Sequence, residues 1–273
     1  MEKFKTRKPA VAGQFYPLSS QELKEQISAL IDKNAEPQDA VACMLPHAGY
    51  VYSGLVAGQT VSRIKIRDRI ILLGPNHTGY GVGFSIMGEG AWQTPLGEIE
   101  IDSALAKQLL KNSSHLENDL LAHQFEHSLE VELPFLQYFK HDFKMVPITI
   151  LSDDFEALKE TGKEIASAIK QAGMQDSTLI VASSDMTHYE PLGQAQKKDN
   201  EAIEAILELN EDKLIEKVKK LNITMCGYAP VITMLAAAKA LGATNGKLIK
   251  YQTSGEITRD NDSVVGYAGI IIN

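Results

Sequence analysis

Cysteine is scarce: a chain of 273 residues carries only Cys43 and Cys226. A disulfide framework is thereby excluded, and both side chains are expected to serve as thiols in a reducing compartment. Positive charge is not in excess either. The 27 basic side chains stand against 35 acidic ones, leaving a formal charge of −8, and no Lys/Arg stripe interrupts that balance. A surface of this sign repels polyanions on average, so nucleic acid is not an expected partner. Long apolar runs are missing too. Stretches such as Ile70 to Leu73 and Val264 to Ile272 fall far short of a bilayer span, so no membrane segment is expected. The segment from Met1 to Pro17 has early positive charges but no apolar core of signal-peptide length, which points to a cytoplasmic protein. No fixed-period repeat, low-complexity tract or long Pro/Ser/Gly linker marks a boundary, so residues 1–273 are read as a single α/β domain.

What is present is the composition of a globular chain, with 44% hydrophobic and 23% charged residues. Short aliphatic and β-branched runs at Val41–Leu45, Ile70–Leu73, Met145–Ile150, Thr178–Ser183, Leu248–Gln252 and Val264–Ile272 predict buried strands. Between them lie helical patterns. Ser19 and Glu22 form a capping box ahead of Leu23, Ile27, Leu30 and Ile31. Leu158, Ile165, Ala168 and Ile169 fall in helical register within Phe155–Ala172, with Gly173 as a stop, and helical patterns also cover Ala202–Leu209 and Pro230–Leu241, the latter ended by Gly242. Strands alternating with helices predict a three-layer α/β/α fold around a mixed, largely parallel sheet. In such a fold, functional groups collect at strand ends.

Four strand-to-loop junctions carry unusual side chains. Pro46-His47-Ala48-Gly49-Tyr50 and Gly74-Pro75-Asn76-His77 each place an imidazole just past a buried strand. Ser183 to Tyr189 places Asp185 and His188 three apart after a third strand, offering a base or an added ligand. Cys226 sits directly before a helix, where the helix N-terminus would lower its pKa. Two neutral imidazoles and one anion with open coordination positions suit a divalent transition metal. Iron is the first candidate. With a thiolate as the anion, zinc or copper stay in play, and Asp185 offers a harder oxygen ligand.

The segment from His123 to Pro134 places His123 and His127 four apart, one face of a helix if the segment is helical there. The zinc-protease pattern does not hold, because Gln124 follows the first histidine where that pattern needs Glu. Leu129, Leu133 and Leu136 are expected to form the buried stripe, with Glu130 and Glu132 facing water. Glu126 and His127 are pocket candidates, and His115 and His141 are expected on the surface.

Taken together, KPAVAGQFYP from Lys8, PHAGYVYSG from Pro46, GPNH from Gly74, EHSLEVELPFLQ from Glu126, SSDMTHY from Ser183, CGYAP from Cys226, YQTSGEIT from Tyr251 and SVVGYAG from Ser263 resemble the MEMO family, also called the AmmeMemoRadiSam system protein B family, over nearly the entire chain. The resemblance implies a fold related to class III extradiol dioxygenases, which are non-haem iron enzymes. It implies a metal pocket in which His47 and His77 match the two ligand imidazoles and Cys226 stands where the dioxygenases have glutamate. By chain order, His127 and His188 would be pocket histidines for substrate contact and proton transfer, with Asp185 close by. A thiolate donates more charge than a carboxylate and is itself oxidisable, so ring cleavage does not transfer intact.

Three readings follow. The first is a redox or oxygenase-like enzyme with iron(II) on His47, His77 and Cys226, His188 as acid–base group and Asp185 orienting it or lending a ligand. The second is metal-dependent hydrolysis, with His127 or His188 moving protons. The third is a non-catalytic module that binds a peptide or small ligand through Tyr50, Tyr52, Trp92 and Tyr189, with Glu126 in its pocket; the family resemblance also permits this, through links to signalling and phosphopeptide binding in eukaryotes. A nucleophilic Cys226-His188-Asp185 triad is allowed by residue type alone.

Overall fold

The computed structural model describes residues 6–273; Met1–Lys5, the start of the segment read above for targeting, lie outside the described residues. Ala42–Leu45, Thr178–Ser183, Arg69–Pro75 and Lys144–Ile150 pair in parallel, in that order across the sheet. Antiparallel strands flank them. Val264–Ile272 pairs with Ala42–Leu45 on one side and with Gly246–Thr253, while Phe84–Ile86 pairs with Lys144–Ile150 on the other side. His188–Glu190 and Glu117–Asn118 complete this mixed nine-stranded sheet. A smaller sheet joins Thr6–Arg7, Ala91–Thr94 and Gly97–Glu100.

Alternation along the parallel strands divides the core. Met44, Ile71, Leu73, Val146, Ile148, Ile180 and Ala182 pack with the helices Ser103–Asn112, Phe155–Gln171, Leu192–Leu207, Glu211–Leu221 and Tyr228–Leu241. Cys43, Leu45, Ile70, Leu72, Met145, Leu179 and Val181 pack with the helices Ser20–Leu30, Tyr50–Val61 and Ser128–Phe139. Because side chains alternate between faces, runs that are apolar throughout must be covered on both sides, and the result is the three-layer α/β/α arrangement. Among the described residues, no helix is long and apolar enough to cross a membrane.

The six runs read as strands are strands, and Ser19 caps the first helix by accepting from the Glu22 amide. The helix Tyr50–Val61 carries no comparable signal. Its two glycines and three valines lower its intrinsic helical preference, and it is held by packing: a Cβ on Gly58 would lie 2.7 Å from the Leu30 carbonyl oxygen.

The expectation that Glu130 and Glu132 face water is overturned, since both are fully buried. Ser128–Phe139 buries residues on every side, because the sheet lies under it and the chain from Arg7 to Tyr16 crosses over it. The two carboxyls are accommodated by internal partners. Glu130 accepts from Arg7 (2.7 Å), the amides of Ala10 (2.7 Å) and Val11 (3.0 Å), and the Tyr16 hydroxyl (2.6 Å). Glu132 meets Ser183 at 2.7 Å. Nor are His123 and His127 on one helix. His123 ends a short 3-10 turn, and His127 precedes the first residue of Ser128–Phe139.

Candidate metal centre

The C-terminal ends of the parallel strands deliver the functional side chains. Ala42–Leu45 runs into His47, Arg69–Pro75 into His77, and Thr178–Ser183 into Asp185 and His188. Adjacent parallel strands end at the same edge, so residues far apart in the chain are brought together. Cys226 arrives from the loop before Tyr228–Leu241. Gly227 allows that loop to press on the strand end, since a Cβ there would collide with the Ser183 carbonyl and the Ser184 side chain.

The ligand atoms of His47, His77 and Cys226 lie within 4.8 Å of one another. The His47 Nε2 to Cys226 Sγ distance is 3.3 Å, and the rings of His47 and His77 are 5.2 Å apart. Each imidazole is held from behind. His47 Nδ1 contacts Ser183 Oγ at 2.8 Å, and His77 Nδ1 contacts Glu126 Oε1 at 2.9 Å. With both Nδ1 atoms engaged, each Nε2 is the atom left to coordinate. His47 is buried, whereas the His77 side chain is 33% exposed, so the cluster opens to solvent on the His77 side. Two imidazoles with anchored Nδ1 atoms and one thiol, open on one side, fit a divalent transition ion.

The electrostatics favour lone pairs over protons on His47 and His127. Burial holds His47 well below the ordinary histidine value, and the neighbouring His77 and His127 add to the effect; burial also lowers His127. Cys226 runs against the sequence expectation. Burial, with the nearby Asp185, pushes its thiol up, and this outweighs any benefit of preceding a helix. A bound cation would reverse that balance by favouring the thiolate.

His127 stacks on His77 with ring centres 4.7 Å apart and packs edge-on against Phe15. Asp185 accepts from the His47 amide at 2.9 Å, and burial raises its carboxyl to about 6. His188 is anchored at Nδ1 by the Thr224 carbonyl (2.9 Å). A carbonyl can only accept, so Nδ1 carries a hydrogen and Nε2 is the nitrogen left for other partners. The Cys226-His188-Asp185 triad is not formed, because Cys226 pairs with His47 instead.

Three proposed contact residues are placed otherwise. Tyr50 is a core residue, its hydroxyl donating to the Val131 carbonyl and its ring packed on Phe135. Trp92 is fully buried beneath the Arg7 guanidinium, so neither ring forms a contact surface. Glu126 lies under the site. Burial alone would raise its carboxyl, yet the His77 side chain and the backbone of Ser128 hold it down at about 2, so it orients His77, and its carboxylate also lies within 4.8 Å of the ligand atoms of His77 and His127. Tyr52 and Tyr189 remain exposed. Ser183, Glu132 and Thr224 were missed. Glu132 could have been suspected only as an acid set in a segment that is apolar all round, which signals a buried helix.

Residues 7–271 match the family described as Memo-like protein. The chain is 42% identical to a MEMO1 family protein of Methanopyrus kandleri, covering 97% of this chain and 98% of that one. It is 43% identical to a MEMO1 family protein of Methanosarcina barkeri (97% and 99% covered) and 42% identical to one of Aquifex aeolicus (98% and 99% covered). Among solved structures, an uncharacterized protein from Escherichia coli K12 superposes with a TM-score of 0.57 at 17% identity, covering 84% of this chain and 98% of that one, a likeness of fold alone.

Proposed function

The chain belongs to the Memo-like protein family, and from that premise we propose that it is a metal-dependent redox or oxygenase-like enzyme acting on a small molecule, with iron(II) held by His47, His77 and Cys226. One observation carries the reading: three side chains separated by up to 179 positions bring their ligand atoms within 4.8 Å of one another. Bound iron would supply one-electron chemistry and open positions for a small molecule, while zinc or copper on the same donors would favour polarisation or electron transfer. The chain's own part is positioning and proton handling. Glu126 and Ser183 fix the two imidazoles, and burial favours the neutral form of His47. His127 beside His77, and His188 with its free Nε2, are placed to hold or accept a proton.

The test is anaerobic titration of the purified protein with ferrous iron. Stoichiometric binding that is lost in His47→Ala, His77→Ala and Cys226→Ala is expected; binding unchanged in those variants would sink the reading. Oxygen uptake by the loaded protein separates redox chemistry from hydrolysis. A second reading, a non-catalytic peptide or small-ligand module, is supported by the exposure of Tyr52 and Tyr189. It predicts peptide binding that survives His47→Ala and fails in a Tyr52→Ala, Tyr189→Ala double variant.

A further inference from the structure

Ser183 Oγ is a crossing point of three polar atoms, all buried: His47 Nδ1 at 2.8 Å, Glu132 Oε1 at 2.7 Å and the Ser128 carbonyl oxygen at 2.9 Å. A hydroxyl has one hydrogen to give and two lone pairs with which to accept. The Ser128 carbonyl can only accept, so the contact made towards it uses the single hydrogen. The other two neighbours must then both donate. His47 does so if its hydrogen is on Nδ1, and Glu132 does so only as a carboxylic acid.

The rest of the surroundings agree. Glu132 Oε2 has no hydrogen-bond partner. For an ionised carboxylate that is a costly orphan, whereas for a neutral acid it is an unpaired carbonyl oxygen, a much smaller loss. Among the described residues no Lys or Arg pairs with Glu132, in contrast to Glu130 two positions earlier with its Arg7. Burial pushes the Glu132 carboxyl well above its ordinary range, and the nearby Asp185 adds to this. On the far side of His47, the Cys226 thiol 3.3 Å from Nε2 finds an acceptor there only if the hydrogen is on Nδ1. Every hydrogen in the chain of contacts is then assigned without conflict.

We propose that Glu132 is a positioning residue for the metal centre: a permanently neutral carboxylic acid that donates to Ser183, leaves that hydroxyl to accept from His47, and so locks His47 in the tautomer whose Nε2 lone pair faces His77 and Cys226. The consequence is an unequal pair of imidazoles. His77 leans on a charged carboxylate, Glu126, which raises its donor strength, while His47 leans on a neutral relay, which fixes its orientation without adding charge. The role as metal positioner rests on the proposed function, but the tautomer does not.

Two sets of measurements test this, the first without metal. In protein labelled with 15N-histidine, His47 is expected as the Nδ1–H tautomer in the wild type and in Glu132→Gln, whose amide can still donate, and as a tautomer mixture in Ser183→Ala and Glu132→Leu. The infrared band of a protonated, buried carboxyl is expected in the wild type and absent from Glu132→Gln. A wild-type His47 protonated at Nε2, no band lost in Glu132→Gln, or an unchanged tautomer in Ser183→Ala would each overturn the proposal, and Ser183→Ala keeps the test alive if Glu132→Leu does not fold. In the second, ferrous iron affinity is expected to fall about 10- to 100-fold in Ser183→Ala and to change little in Glu132→Gln. Equal affinity of Ser183→Ala and wild type overturns the positioning role. If the wild type binds no iron at all, the proposed function fails instead, and the tautomer result still decides whether Glu132 is the neutral donor.

Discussion

Glu130 and Glu132 lie two residues apart in the same buried helix, and their substitution should have very unequal consequences. Glu130 is the hub for the chain segment that crosses over the site: it takes four hydrogen bonds of 2.6–3.0 Å, from Arg7, Ala10, Val11 and Tyr16, in a setting closed to water. In Glu130→Ala the Arg7 guanidinium stays buried without its counter-charge. Breaking one side of such a pair costs roughly 3–5 kcal/mol, before the two backbone amides and the tyrosine hydroxyl that lose their acceptor are counted. Against a total stability of about 5–15 kcal/mol, that variant is close to the limit of folding. Glu130→Gln is the measurable version. It keeps the shape and one acceptor oxygen but removes the charge and turns an amide NH2 towards donors, for an expected loss of about 2–3 kcal/mol. Urea denaturation reads the loss, and hydrogen exchange at the Ala10 and Val11 amides reads its location, since both should lose protection before the rest of the chain. By contrast, Glu132→Gln replaces a neutral donor by another and should cost less than about 1 kcal/mol. A Glu130→Gln loss below about 1 kcal/mol with unchanged protection at Ala10 and Val11 would refute the reasoning.

Three other outcomes are expected. Burial lowers His123 from 6.5 to about 4, so the folded protein resists a proton that the unfolded chain accepts. The stability this represents is complete above pH 6.5 and is lost as pH falls towards 4, on the order of 3 kcal/mol, and His123→Phe should flatten the stability profile in that window. Gly58→Ala would place a methyl 2.7 Å from the Leu30 carbonyl oxygen, and because the obstacle is backbone, a loss of about 1–3 kcal/mol in thermal or urea unfolding is expected. Glu126→Ala removes the acceptor that sets His77 and the amides of His127 and Ser128. It should weaken ferrous iron binding by about 10- to 100-fold, and an affinity equal to wild type would show that His77 is oriented by something else.

The central strands were legible because a strand buried on both faces writes itself as a short, mostly apolar run rich in β-branched residues; Thr178–Ser183 and Val264–Ile272 are read to the residue. Tyr50–Val61 was not, since its helix is stabilised by close backbone contact through glycine and not by an amphipathic stripe. At the site, His47, His77 and Cys226 stood out by residue type and by their place just after a strand or before a helix. Tyr50 and Trp92 were misplaced because an aromatic ring fits a core as readily as a pocket rim.

By itself, the order of residues determined which side chains could bind a metal and which stretches had to be covered on both faces, because those properties are local in composition and periodicity. Only the folded chain decided that the two imidazoles and the thiol meet, that Glu126 and Ser183 stand behind them, and that Glu130 and Glu132 lie in the dark. A carboxyl in a helix looks alike in sequence whether water or another part of the chain covers it. What covers it is set by segments more than a hundred positions away.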